Sequence, residues 1–285
     1  MAQLHKEYMR YIATRKVADL GSRVALVTGA NRGIGREICR QLAERGVGRV
    51  FLSSRDLEAA TLAARELNSE VASSKAAGVR AGTIVPAQLD VTQIASVQAF
   101  ATRISTECGG RLDILVNNAG ACFDRDGRGN ISFVQSNAET ISQEELMASF
   151  ELNVCAQVQV TQQMLPFLKK APAARIVNMS SVLASLTMQH DTGLAPFKAL
   201  GYAASKAALN MFTVCLASAL EGTSIRVNSA HPGWAKTEGG GGDTGHPMQM
   251  GASEAAKTPV DLALLPDDAP WPHASFVHEG RTLLW

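Results

Sequence analysis

The chain is short of clustered cysteine, of charge imbalance and of tyrosine, and each shortage excludes something. Its five cysteines, Cys39, Cys108, Cys122, Cys155 and Cys215, stand apart, with no CxxC pair and no histidine at ligand spacing. A metal site or redox dithiol needs such spacing, so no metal is expected. The thiols read as core or surface residues in a reducing, cytoplasmic setting. Lys and Arg number 27 against 26 Asp and Glu, and no basic run is interleaved with aromatics. That leaves neither field nor stacking surface for nucleic acid. No apolar run reaches the roughly 18 residues of a membrane span. Residues 1–22 lack the apolar stretch of a secretory signal; Glu7 and Asp19 argue against a transit peptide, although organellar targeting stays open. They are expected to be an appendage to one domain over residues 23–285. No repeat of fixed period divides that domain, and Gly239–Gly242 is short enough to be a loop.

What is present is a hydrophobic content of 46% arranged with a clear rhythm. From Val24 onward, β-branched apolar runs alternate with helix-like segments, the pattern of βαβ units around a sheet buried on both faces. Strands are predicted near Val24–Thr28, Arg49–Ser53, Thr83–Gln88, Ile114–Asn117, Arg175–Ser180 and Ile225–His231. Ile34, Ile38 and Leu42 predict a helix over Gly33–Arg45, and Leu209, Phe212 and Leu216 another over Ser205–Leu220. A third spans Leu57–Leu67, with Asp56 placed to cap its exposed N–H groups. The fold class is α/β: right-handed crossovers wind the strands into one doubly wound, three-layer α/β/α sheet. Ligands are expected beyond its strand carboxyl ends.

The first strand runs into Thr28-Gly29-Ala30-Asn31-Arg32-Gly33-Ile34-Gly35 and then a helix. Small residues between strand and helix let backbone approach a pyrophosphate at a helix N-terminus. The spacing is TGxxxGxG, and here the chain resembles the classical short-chain dehydrogenase/reductase family. Asn117-Asn118-Ala119-Gly120, by itself equally a turn, matches that family's NNAG motif, and Asp90-Val91 stands where the family contacts adenine. The resemblance implies a Rossmann fold with a mostly parallel, seven-stranded sheet. It also implies a nicotinamide cofactor held by Gly29, Asn31, Arg32, Gly33, Ile34, Gly35, Asp90, Val91, Asn117, Ala119 and Gly120. At the end of the second strand Ser54 replaces the aspartate that would accept the ribose hydroxyls of NAD. Arg55 follows it, and a guanidinium can grip a 2′-phosphate in a fork. With Arg32 alongside, NADPH/NADP is expected over NADH, unless both arginines are simply solvated.

Only three tyrosines occur, and two of them, Tyr8 and Tyr11, lie in the appendage. The third opens Tyr202-Ala203-Ala204-Ser205-Lys206, which puts both polar side chains on one helical face. Reducing a carbonyl creates an alkoxide, so the site needs a proton donor where that charge develops. An ammonium nearby is expected to lower the phenol's pKa. Tyr202 and Lys206 match the family's catalytic pair, which also touches the cofactor. Ser181, closing Ile176-Val177-Asn178-Met179-Ser180-Ser181, matches its substrate-binding serine, with Ser180 the alternative. Asn153 matches the residue that supports a proton relay. Pro232 and Gly233, after His231, are expected over the nicotinamide, and Thr237 beside the carboxamide or a phosphate. His231 reads as structural, and no GxSxG elbow supports a hydrolase.

Two stretches, residues 121–145 and 182–201, exceed the minimal family form and border the expected substrate pocket, to which residues 234–258 are expected to add a third loop. They contribute Cys122, Phe123, Leu183, Leu186, Met188, Trp234, Met248 and Met250, which either line an apolar pocket or pack the loops. The longer segment before Tyr202 and the tail from Leu265 to Trp285 look similar to the carbonyl reductase branch, although the tail shows no clear final strand. Monomer and homo-oligomer both stay open. The expected activity is NADPH-dependent reduction of a small, apolar aldehyde or ketone. An oxidative NADP-dependent alcohol or steroid dehydrogenase, or an idle NADPH-binding sensor, are the alternatives.

Overall fold

Apolar runs flanked by helices bury both faces only when alternate residues point to opposite layers, and the first strand shows this directly. In the computed structural model, residues 19–73, 81–126, 130–133, 138–191, 199–237, 242, 245, 247, 249–268 and 272–285 are described. Residues 1–18 of the expected appendage, most of Gly239–Gly242 and Met248 lie outside them. In β1 (Val24–Val27), Ala25 and Val27 enter one apolar cluster and Leu26 the other. The first cluster is covered by α1 (Gly33–Glu44) and α2 (Leu57–Ser73), which contribute Ile38, Leu42, Ala60 and Leu67. The second is covered by α3 (Ile94–Glu107), which contributes Val97, Phe100 and Ile104.

The remaining predicted strands are all present: β2 (Arg49–Ser54), β3 (Thr83–Gln88), β4 (Ile114–Asn117), β5 (Arg175–Met179) and β6 (Arg226–Ala230). Asp56 caps α2 as expected, its Oδ1 accepting from the backbone N–H groups of Glu58 and Ala59 at 2.9 and 3.2 Å. The third strand ends two residues before Asp90, which stands in the following turn.

Two short strands, β7 (Trp234–Ala235) and β8 (Gln249–Met250), pair with each other outside the main sheet. The expected count of seven strands needs correction, because the tail supplies both β9 (Ser275–His278) and β10 (Arg281–Thr282). The order is β10-β9-β6-β5-β4-β1-β2-β3, eight strands, with only β10 antiparallel to its neighbour. β9 escaped notice because four residues carry little periodicity, and its pairing is set by a distant side chain. Asn228 of β6 accepts from Ser275 N at 3.1 Å and donates to Pro272 O at 3.1 Å.

Both rims of the sheet are blunt. β10 has two residues, and β3 contains Pro86, which lacks an N–H and whose carbonyl accepts from Arg103 at 2.9 Å. Chain order reverses between β1 and β4, the topological switch where an open α/β sheet leaves a crevice.

Between β4 and β5, a capping box at Ser142 and Glu145 starts α4 (Gln143–Phe150), a π-helical turn spans Glu151–Cys155, and α5 (Ala156–Leu168) follows. Next, α6 (Leu186–Asp191) leads toward α7 (Leu200–Ala219), which carries Tyr202 and Lys206. Two last helices, α8 (Ala252–Ala255) and α9 (Lys257–Ala263), complete the order, α9 adding Val260 to the first cluster. Among the described residues, no helix is long and apolar enough to cross a membrane.

Candidate active site

The glycine loop is built to admit something close to its backbone. Gly29 sits at φ +60°, and a Cβ there would lie 2.9 Å from Ala119 Cα. A Cβ at Gly35 would meet Asn118 Nδ2 at 2.5 Å and Ala30 Cα at 2.8 Å. Thr28 and Asn118 hold the two motifs together: Thr28 Oγ1 accepts from Asn118 N and Ala119 N at 3.0 Å each. Asn118 Nδ2 donates to the carbonyls of Thr28 and Gly29 at 2.8 and 3.0 Å. Asn118 therefore shapes the loop, a role its motif position did not single out. Gly33 opens α1 at φ +57°, Arg32 provides no side-chain cap, and the first turn holds no acidic residue. That combination suits the N-terminus of α1 to a pyrophosphate.

The residues expected along the cofactor surround this loop. Thr237 faces Gly33, its Cγ2 3.4 Å from where a Cβ would stand. Ile34 is partly buried against the core, and Asn31 is half-buried beside it. Ser54 is buried and accepts from Asp56 N, whereas Arg55 and Arg32 are exposed at the rim. Asp90 is locked in a turn, its Oδ1 accepting from Thr92 N and Thr92 Oγ1. Val91 is buried, and its carbonyl accepts from Gln159.

Asn117 is buried at the end of β4 and ties the sheet together. It donates to Thr161 Oγ1 and Asn178 Oδ1, each at 2.8 Å, and Asn178 donates to Thr213 Oγ1, which pairs with Ser229 Oγ. This buried polar chain crosses from α5 through β4 and β5 to α7 and β6. Buried polar groups persist only when partnered, so the chain fixes α7 against the strands.

The four expected catalytic residues meet above β5. Lys206 is 4% exposed, and its Nζ donates to Met179 O at 2.8 Å and lies 5.7 Å from the centre of the Tyr202 ring. Asn153 is fully buried in the π-helical turn; Nδ2 donates to Ala121 O and Ser205 Oγ, and Oδ1 accepts from Ala121 N. Ser205 Oγ in turn donates to Tyr202 O at 2.8 Å. Such π turns recur at functional sites because they aim a side chain that a regular helix would misdirect. Gly120 makes room for the group: a Cβ there would stand 2.8 Å from Asn153 Oδ1 and 3.1 Å from Lys206 Nζ. Of the two serines, Ser181 Oγ accepts from Leu183 N at 3.3 Å and its hydroxyl stands close enough to the Tyr202 phenol to influence its acidity, while Ser180 is buried.

Electrostatics at the pair differs from the expectation. Burial raises the Tyr202 phenol above its ordinary value, Cys122 adds to the rise, and the hydrogen bond with Ser181 opposes it. Lys206, its Nζ 5.7 Å from the ring centre, does not offset that rise. Burial also lowers Lys206 to about 8. An unfolded lysine keeps its proton up to about 10.5, so the destabilising effect of this buried charge is complete below about 8 and fades as pH rises toward 10.5. Replacing Lys206 with Met should therefore change Tm most favourably below about pH 8, the gain over the parent shrinking as pH climbs through that window. A difference in Tm that is flat with pH would refute the assignment.

His231 Nδ1 accepts from Val182 N at 3.2 Å, and burial, with His278 beside it, pushes the imidazole down to about 3. Pro232 and Gly233 follow, Gly233 at φ +83° with Met250 Cε 2.5 Å from where a Cβ would be. Among the expected pocket residues, Cys122 and Leu183 are buried near the site, whereas Leu186 is 76% exposed. Phe133, not anticipated, meets the Tyr202 ring edge-on at 5.2 Å. Asp124 was likewise missed; it is buried and accepts from the backbone of Gly201 and Tyr202.

Residues 23–243 match the family described as short chain dehydrogenase. The chain belongs to that family, whose members are NAD(P)-dependent oxidoreductases of CH–OH and C=O groups. It is 33% identical to (-)-isopiperitenone reductase of Mentha piperita over 87% of this chain and 94% of that one. Carbonyl reductase [NADPH] 1 of Sus scrofa is 30% identical, over 93% and 94%. The solved structure of NADPH-bound carbonyl reductase from chicken fatty liver superposes with a TM-score of 0.75 and 28% identity, over 95% of this chain and all of that one.

Proposed function

We propose that the protein reduces a small, apolar aldehyde or ketone with NADPH, using Tyr202 as the general acid. The observation that carries this reading is the convergence of Ser181, Tyr202, Lys206 and Asn153 at the mouth of a glycine-lined crevice. Relatives named isopiperitenone reductase and NADPH-named carbonyl reductases support it. The crevice fits a dinucleotide: Gly29, Gly33 and Gly35 open the backbone, the N-terminus of α1 attracts phosphate, and Arg32 and Arg55 stand at its rim. When bound, reduced nicotinamide supplies the hydride.

The side chains divide the rest of the work. Ser181 orients the substrate oxygen by hydrogen bonding, and the Tyr202 phenol delivers a proton to that oxygen as charge develops on it. Lys206, pinned by Met179 O, places a positive charge where the phenolate is left, and Asn153 keeps Ser205 and Ala121 in register with it. Cys122, Phe133 and Leu183 give the substrate side an apolar character.

Purified protein mixed with NADPH and a panel of aldehydes, ketones and quinones should oxidise the coenzyme; silence across the whole panel would sink the proposal. Coenzyme choice has its own test. Arg55→Ala should raise KM for NADPH about tenfold, the value of one charge-assisted contact, and leave KM for NADH unchanged. Equal effects on both coenzymes would show that Arg55 does not read the 2′-phosphate.

A further inference from the structure

Immediately after the Asn117–Gly120 motif, four residues join two parts of the site that are far apart in sequence. Ala121 holds Asn153 by both of its backbone groups, accepting from Nδ2 at 2.9 Å and donating to Oδ1 at 3.0 Å. Three residues on, Asp124 is fully buried. Its Oδ1 accepts from Gly201 N and its Oδ2 from Tyr202 N, each at 2.8 Å. Cys122 Sγ donates to Oδ2 at 3.6 Å.

The first turn of α7 is thus capped from outside its own segment. Ala199, at the N-cap, has no side chain able to accept, and the carboxylate that replaces it lies 77 and 78 residues away in sequence. A buried carboxylate is costly unless partnered, and here the helix N-terminus and two backbone donors partner it. Gly201 permits the approach: a Cβ there would stand 3.2 Å from Asp124 Oδ2, 3.0 Å from Ile141 Cδ1 and 3.1 Å from Ser149 Oγ.

We propose that Asp124 is a positioning residue for the reaction: through the strap Ala121–Asp124 it fixes the backbone of Tyr202 relative to Asn153, so the phenol meets the substrate oxygen in register. The inference rests on the proposed role of Tyr202. Small displacements of an acid from its target cost rate steeply, so the effect belongs in kcat rather than in coenzyme affinity.

Asp124→Asn keeps the volume but turns an NH₂ donor toward one of the two N–H groups. With active sites counted by NADPH binding, kcat should fall about 10- to 100-fold while Kd for NADPH stays at the parent's value. Adding Ala199→Ser supplies a local cap, which should recover Tm and leave kcat low. Parent-like kcat in Asp124→Asn, or recovery of kcat by Ala199→Ser, would overturn the proposal, since either result makes Asp124 an ordinary cap. If Asp124→Asn does not fold, Gly201→Ala decides: its methyl group displaces the carboxylate, and an undiminished kcat refutes the strap. A parent inactive on every carbonyl would be a failure of the proposed function instead. The strap is then judged by hydrogen exchange at the Gly201 and Tyr202 amides, which Asp124→Asn must accelerate; unchanged exchange overturns it.

Discussion

Tyr202→Phe is expected to lower kcat on any carbonyl substrate by about 10²- to 10⁴-fold, the usual contribution of a positioned proton donor. The substitution removes one oxygen and leaves the ring, its edge-on contact with Phe133 and the backbone bonds to Asp124 and Ser205 in place. NADPH titration should therefore give a Kd near the parent's, which separates lost chemistry from lost structure. No other described tyrosine is available to substitute for it. A variant retaining a third or more of the parent's rate would mean that another group protonates the substrate, and the proposed mechanism would fall.

The second large effect belongs to Gly35. A methyl group there meets Asn118 Nδ2 at 2.5 Å, Ala30 Cα at 2.8 Å and Gly29 O at 2.9 Å, and two of those three are backbone. Relief requires moving the glycine loop or withdrawing Asn118, whose amide holds the carbonyls of Thr28 and Gly29. Gly35→Ala should cost about 1–3 kcal/mol of stability, as overpacking does, and weaken NADPH binding by about tenfold or more. Chemical denaturation and fluorescence titration would measure the two. Parent-like coenzyme affinity would show that the loop tolerates displacement.

How far the site was legible depended on the range of the interaction behind each residue. The glycines of the Thr28–Gly35 loop announced themselves because their requirement is local: a left-handed backbone or a close approach leaves no other residue type. Tyr202 and Lys206 share a helical face by spacing alone. Asn153 was assigned through resemblance, but the π-helical turn that buries it has no mark in the residues Glu151–Cys155. Asp124 was invisible for a different reason. Its partners are backbone N–H groups 77 and 78 positions later, and nothing in its neighbourhood distinguishes it from a loop aspartate. The tail strand β9 hid likewise, being four residues long and held by Asn228 across the sheet. Spacing places Lys206 near Tyr202 but carries no measure of the desolvation that raises the phenol and lowers the lysine.

The blunt rims of the sheet carry a further implication. A neighbouring molecule seeking to continue the strands would find, on one side, a proline with no donor and a carbonyl already engaged by Arg103. On the other it would find a two-residue ribbon running the opposite way. Growth by addition of strands is thereby discouraged at both ends, which guards against fibrous aggregation.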